Sequence, residues 1–254
     1  MESASKDVLF TIALNLELPD LLRWCVSKSK INQDVCNNEH VWRTKLLQDY
    51  PNYEDIGDED YLSFISSLSL RETYVFIYQL YYIRKLLNKE ETLNDIFLKK
   101  VLHLSKRGLD KVPAFNLPNL KELLLDGNKL KKVPSFNLPN LTHLYLNHNQ
   151  LTEIPSFNLP NLRYLYLNNN RLTKIPAFNL PTLQILYLSE NKLTELPDFN
   201  LPHLGTLELT NNKLTELPDF NFPFLNHLIV RKNNLTKEAR RKLIEKYKKK
   251  VQII

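Results

Sequence analysis

Residues 141–161 read Leu141-Thr142-His143-Leu144-Tyr145-Leu146-Asn147-His148-Asn149-Gln150-Leu151-Thr152-Glu153-Ile154-Pro155-Ser156-Phe157-Asn158-Leu159-Pro160-Asn161, and the pattern returns every 21 residues. Leu123, Leu144, Leu165, Leu186, Leu207 and Leu228 hold one position of the repeat; Leu120, Leu141, Leu162, Leu183, Leu204 and Leu225 hold another. Asn128, Asn149, Asn170, Asn191, Asn212 and Asn233 keep the same step, and all but two of the 14 prolines fall in the repeats, two per copy. Six copies are full. A partial leading copy begins at Leu102 and Leu104, with Arg107 in place of the Asn.

Each position has a physical reason. The Leu-x-Leu core alternates as a short strand does with one face buried. A fixed period returns each strand beside its predecessor, which predicts a parallel sheet along one side of a coil. The Asn follows the strand where the chain turns inward, and its amide can satisfy turn backbone groups that no ladder reaches. Proline fixes φ and disfavours helix in the residue before it, so the return path is expected to be extended. The series Phe115, Phe136, Phe157, Phe178, Phe199 and Phe220 then forms an inner spine. One copy cannot bury enough apolar surface to stand alone, so stacking is obligatory and both ends need caps.

The unit resembles a leucine-rich repeat over roughly residues 100–235. The resemblance implies a curved solenoid with its sheet on the concave side, and a binding role in preference to a catalytic one. In this reading the outward positions of the strands define the binding surface. The middle copies place Tyr145, Tyr164, Tyr166, Ile185 and Tyr187 there, bordered by polar residues that include His143 and Glu208. Two readings of the tyrosines compete. They form a protein interface, as exposed aromatic clusters with polar rims do, or they stack across neighbouring strands and stabilise the sheet. The interface is the preferred reading. Lys129, Arg171, Lys192 and Lys213, just after the Asn ladder, read as solvated edge charges.

Residues 1–98 lack the repeat and carry helical periodicity instead. Val8, Leu9, Ile12 and Leu16 fall at helical spacing; Pro19-Asp20 opens a second helix through Leu21, Leu22 and Cys25. Ile31 to Val35 forms a third run, and Val41, Trp42, Leu46 and Leu47 another. Residues 4–47 resemble an F-box through Asp7-Val8-Leu9 with Ile12, Asp20-Leu21-Leu22, Val26-Ser27-Lys28 and Trp42-Arg43. The family's leading Leu-Pro is replaced by Ala4-Ser5, and Ile31 takes its central Trp position. The Lys-Ile-Asn element and the Asn- and Lys-rich repeats also resemble F-box proteins of giant DNA viruses. The resemblance implies docking to a Skp1-like adaptor of a cullin-based ubiquitin ligase, with Leu9, Ile12, Leu21, Leu22, Val26 and Trp42 as contact candidates. Alternatively, these residues form only the core of a small helical unit.

Residues 51–60 hold five carboxylates around Gly57 and read as an acidic loop and boundary. Two helices follow, Leu62 to Leu70 and Thr73 to Leu87; the second is apolar nearly all round and is expected to cap the first repeat. Thr236 to Lys250 reads as a basic helix capping the last repeat, with Ala239, Leu243 and Tyr247 on one face. The expected class is α+β: a helical F-box-like domain (1–50), linking helices (51–98), a leucine-rich-repeat solenoid (99–235) and a basic capping helix (236–254).

Charge follows the same divisions. The chain of 254 residues has a formal net charge of +6, but residues 1–98 carry 10 basic and 16 acidic side chains, residues 99–230 carry 14 and 10, and residues 231–254 carry 10 and 2. The overall basicity therefore belongs to a C-terminal segment, which excludes a broad basic surface for nucleic acid. Cys25 and Cys36 are too few to staple a secreted fold of this size, which favours a reducing compartment. The expected location is cytoplasmic, in the host cytoplasm or nucleus for a viral protein. The six histidines fit no metal-ligand spacing and no nucleophile or phosphate loop stands out, so no catalysis, metal or cofactor is expected. The reading in sum is a monomeric, non-catalytic substrate adaptor with a protein target on the concave face; its alternative is an interaction scaffold with no link to ubiquitin.

Overall fold

The computed structural model describes residues 21, 25, 34–51, 53, 57, 59–87, 91–247 and 251–252. The chain divides into two compact units, 1–97 and 98–254.

The first unit is helical. Helix α1 (Glu39–Asp49) is capped by Asn38, whose side chain accepts a 2.9 Å bond from the His40 amide. It buries Val41, Trp42 and Leu46 against α3 (Leu70–Leu87), where the Trp42 ring meets Tyr74 at 5.9 Å. The buried Lys45 ammonium pairs with Asp49 at 2.8 Å, and Asp49 also accepts a 2.5 Å bond from the Tyr74 hydroxyl. A charge taken out of water is tolerated only when its partners are satisfied in this way.

Helix α2 (Glu59–Ser66) begins earlier than the hydrophobic pattern predicts, because Glu59 and Asp60 supply acidic side chains to its first turn and leave the acidic loop. Helix α3 also begins earlier, at Leu70. Ser69 and Glu72 form a reciprocal cap there: the Glu72 carboxylate accepts from the Ser69 amide at 2.9 Å, and the Ser69 hydroxyl accepts from the Glu72 amide at 3.3 Å. The Ser69 amide, joined by the Ser69 hydroxyl donating to the same carboxylate at 2.8 Å, holds the Glu72 carboxyl below its ordinary pKa. Thr92 and Asp95 repeat the device at α4 (Leu93–Phe97). Tyr61, Phe64, Phe76 and Phe97 interlock as one aromatic cluster, so the helices read as a linking segment belong to the same unit as α1.

One expectation about this unit is corrected. Cys25 and Cys36 are joined as a disulfide, so the pair does not speak for a reducing compartment. The two lie 11 residues apart in sequence, yet the fold brings their Cα atoms to 5.7 Å, within bridging range.

The second unit is the solenoid. Seven three-residue strands, β1 (Val101–His103), β2 (Glu122–Leu124), β3 (His143–Tyr145), β4 (Tyr164–Tyr166), β5 (Ile185–Tyr187), β6 (Thr206–Glu208) and β7 (His227–Ile229), pair in sequence order, all parallel. The register advances by the repeat length at each step, so identical repeat positions sit side by side. No helix forms on the return path of any copy, as the paired prolines predict. The phenylalanine spine is present, with near-parallel rings 5.5–6.4 Å apart from Phe115 to Phe220.

The C-terminal cap differs in part from the expectation. Helix α5 (Lys237–Tyr247) is capped by the Thr236 hydroxyl, which accepts from the Ala239 amide at 3.1 Å, and it buries Ala239, Leu243 and Tyr247. The helix is described as far as Tyr247, and β8 (Val251–Gln252) adds an eighth parallel strand beside β7. The sheet edge left by the last full copy is therefore paired rather than open. Among the described residues no helix is long and apolar enough to cross a membrane.

Candidate functional site

The outward face of the sheet follows from strand alternation. In each of β2 to β6 the central leucine is fully buried and the residues on either side of it are half-buried, so those neighbours line the face. Parallel register then builds rows across the strands. One row runs Glu122, His143, Tyr164, Ile185, Thr206; the other runs Leu124, Tyr145, Tyr166, Tyr187, Glu208.

All seven face residues singled out by the sequence are thus brought onto one surface, and five of them are in ring contact. The His143 and Tyr164 rings stack at 4.3 Å. Tyr145 and Tyr166 stack at 4.6 Å with their planes 4° apart, while Tyr187 meets Tyr166 edge-on at 5.3 Å and 77°. Ile185 stands beside Tyr164, and Glu208 beside Tyr187. Partial burial, reinforced by the nearby Glu122 carboxylate, pushes the Tyr145 hydroxyl above its ordinary pKa. Tyr166 is raised too, first by burial and then by its tyrosine neighbours. Tyr145 and Tyr166 therefore present neutral phenols, able to donate and accept, on an apolar ring surface. The rings also pack on one another along the ladder, as the cross-strand reading expects.

The inner asparagines close the turns. Asn149 donates from Nδ2 to the carbonyls of Leu125 at 2.9 Å and Leu146 at 3.1 Å, while its Oδ1 accepts from the Leu130 amide at 3.1 Å. Asn170, Asn191, Asn212 and Asn233 repeat the same three bonds one copy further on. Asn128 donates to the Leu104 and Leu125 carbonyls and accepts from the amides of Arg107 and Leu109, which ties the incomplete first copy to the next.

A second ladder escaped the sequence reading. Asn140 and Asn161 each donate at 2.8 Å to the proline carbonyl 22 residues back, Pro118 and Pro139. Thr182 does so with Pro160 at 2.9 Å, and the His203 ring contacts Pro181 at 2.7 Å. The available signal was the polar residue after each Leu-Pro, but its identity changes from Asn to Thr to His. Only the shared geometry makes the series visible.

The docking candidates of the helical unit lie elsewhere. Leu21 and Trp42 are 0% and 1% exposed, and the Trp42 indole donates to the Cys36 carbonyl at 2.7 Å. Both therefore serve the interior of their own unit. Leu9, Ile12, Leu22 and Val26 lie outside the described residues. No group of His, Cys, Asp and Glu able to hold a metal occurs among the described residues. The tail lysines divide as well: Lys246 is bonded to Asp219 and to the Phe220 carbonyl, within the cap, while Lys248, Lys249 and Lys250 fall outside the described residues.

Comparison with known proteins places the repeats. Residues 139–180 and 181–222 match the family model described as Leucine Rich repeats (2 copies). Among solved structures, YopM from Yersinia enterocolitica WA-314 aligns at 31% identity with a TM-score of 0.50, over 55% of this chain and 31% of that one. YopM of Yersinia pestis, titled a leucine-rich effector protein, aligns at 33% identity with a TM-score of 0.49, over 54% and 38% of the two chains. The chain thus spans between 31% and 38% of the length of these relatives. No curated protein matches. The solenoid is a leucine-rich-repeat region similar to that of YopM, and such repeats are typically non-catalytic scaffolds.

Proposed function

We propose that this protein is an interaction scaffold whose sheet face binds a protein partner. The observation that carries this reading is the set of half-buried rings of His143, Tyr145, Tyr164, Tyr166 and Tyr187 across three adjacent strands. Large, rigid amphipathic side chains lose little conformational freedom on binding and dominate interface energetics. The sheet beneath holds them in register without help from a ligand.

The test is the triple variant Tyr145→Ser, Tyr166→Ser and Tyr187→Ser. Affinity capture with the full chain should recover a set of partners that this variant loses, while a control changed at the exposed Lys132 and Lys174 retains it. Identical partners from all three would place the binding surface elsewhere.

The finer reading is a substrate adaptor in which the helical unit docks a Skp1-like protein and any ubiquitin transfer is done by partners. Its support is the Asp20-Leu21-Leu22 and Trp42-Arg43 pattern. Leu21 and Trp42 are buried, which favours the scaffold reading. Absence of binding between the purified chain and Skp1 at micromolar concentration would remove the adaptor reading without touching the scaffold.

A further inference from the structure

We propose that the sheet face takes an extended, basic segment of its partner, with cationic side chains set against Glu122 and Asp126 at one end of the tyrosine row and Glu208 at the other. This rests on the face being the binding surface, and it specifies the chemistry of the occupant.

Charge is segregated on the solenoid. Residues 99–230 carry 14 basic and 10 acidic side chains, yet the outward positions of β2 to β6, with the residue two beyond each strand, hold carboxylates and no lysine or arginine. The carboxylates are Glu122, Asp126 and Glu208. Lys121 and Arg163 precede their strands, and Arg231 holds the position two beyond β7, one strand past Glu208. A net-basic element with an acidic working face is locally complementary to a cationic ligand and not to an anionic one. No ion pair to Glu122 or Glu208 occurs among the described residues, and both side chains are half-buried on the face.

The rings between the carboxylates suit the same ligand. Arginine and lysine are drawn to tyrosine faces, and guanidinium planes stack on them. Tyr187 is turned edge-on to Tyr166, so the row is not closed by a continuous parallel stack at that end, next to Glu208.

Spacing sets a rule for the occupant. Glu122 and Glu208 stand four strand steps apart across the sheet and two residues apart along it, about 20 Å at roughly 4.8 Å per step and 3.3 Å per residue. An extended peptide advances about 3.3 Å per residue, so its basic residues should lie about six positions apart, with apolar or aromatic residues between.

The experiment uses the full chain and labelled synthetic peptides with two arginines on an Ala/Tyr background, spaced from roughly two to roughly ten residues apart, together with the glutamate counterparts. Fluorescence anisotropy should show affinity peaking near a spacing of six and no binding to the glutamate series. The Glu122→Gln, Asp126→Asn, Glu208→Gln variant should bind the best peptide about tenfold more weakly, and added salt should have a similar effect. These isosteric changes keep an acceptor where Asp126 receives the Ser105 hydroxyl, and an unchanged melting curve checks the fold. Affinity that ignores the spacing, or that is unchanged in the charge variant, overturns the proposal. Loss in the tyrosine variant alone overturns the basic partner and leaves the face as a binding surface; loss in neither removes both. Self-association of the free chain, abolished by the charge variant, would assign the face to the basic C-terminal segment of a second copy and overturn a foreign partner.

Discussion

At the scale of single residues, the molecule depends on polar side chains placed where the backbone has no partner. Asn170 satisfies the carbonyls of Leu146 and Leu167 and the amide of Leu151, all from a residue 8% exposed. Asn170→Ala would strand the Leu151 amide and remove one of the two bonds to each of the Leu146 and Leu167 carbonyls, which keep those from Asn149 and Asn191. It should cost about 3 kcal/mol or more, read from the urea midpoint, whereas Asn140→Ala on the exposed outer ladder should cost about 1 kcal/mol. Both ladders return polar side chains to backbone groups, but only the inner one was legible in the sequence, because one residue type holds it in every full copy. The tyrosines carry a pH signature. Tyr145 and Tyr166 are raised above 10.0 in the folded chain, so on raising the pH the unfolded chain releases these protons first. The unfolded state then binds fewer protons than the native one, and stability must fall as the pH climbs through and beyond the ordinary tyrosine value. Replacing both residues by Phe should flatten that fall in thermal midpoint; an unaltered slope would mean the rings are not desolvated by the sheet.

At the scale of elements, strands and helices were set by different information. Each strand is only three residues long, too short to specify itself, and it is the repeat that makes seven such segments readable together. Helix starts were misplaced by a few residues because caps decide them: Ser69 with Glu72 starts α3 ahead of its apolar run, and Glu59 with Asp60 draws α2 into the acidic stretch. The terminal strand β8 has no alternating pattern of its own; it pairs with the edge that β7 would otherwise leave open. The Cys25–Cys36 bridge belongs to this scale too. Closing a loop of about 11 residues stabilises the helical unit by about 3 kcal/mol on a chain-entropy basis. The protein purified without reductant should therefore show no reactive thiol, and Cys25→Ser with Cys36→Ser should lower the melting point of the helical unit while leaving the solenoid signal in place.

At the scale of the whole molecule, the solenoid should behave as a linear array. Leu165 sits in β4 with strands on both sides, whereas Leu102 in β1 pairs on one side within the sheet. Leu165→Ala should cost about 3 kcal/mol and loosen amide protection in the adjoining copies; Leu102→Ala should release protection mainly at its own end. Equal and global effects from both would show that stability is not shared between neighbours in this way. The order of residues alone carried the repeat, the parallel sheet, the phenylalanine spine and the rows of the candidate face, because periodicity translates directly into register when every copy must stack. Where Cys25 lies relative to Cys36, that Trp42 and Leu21 turn inward, that the tyrosines stack upon one another, and that a last strand closes the sheet all came from the fold. Each of these depends on which distant groups meet in space, and a local pattern of apolar and polar residues constrains a face without naming what packs against it.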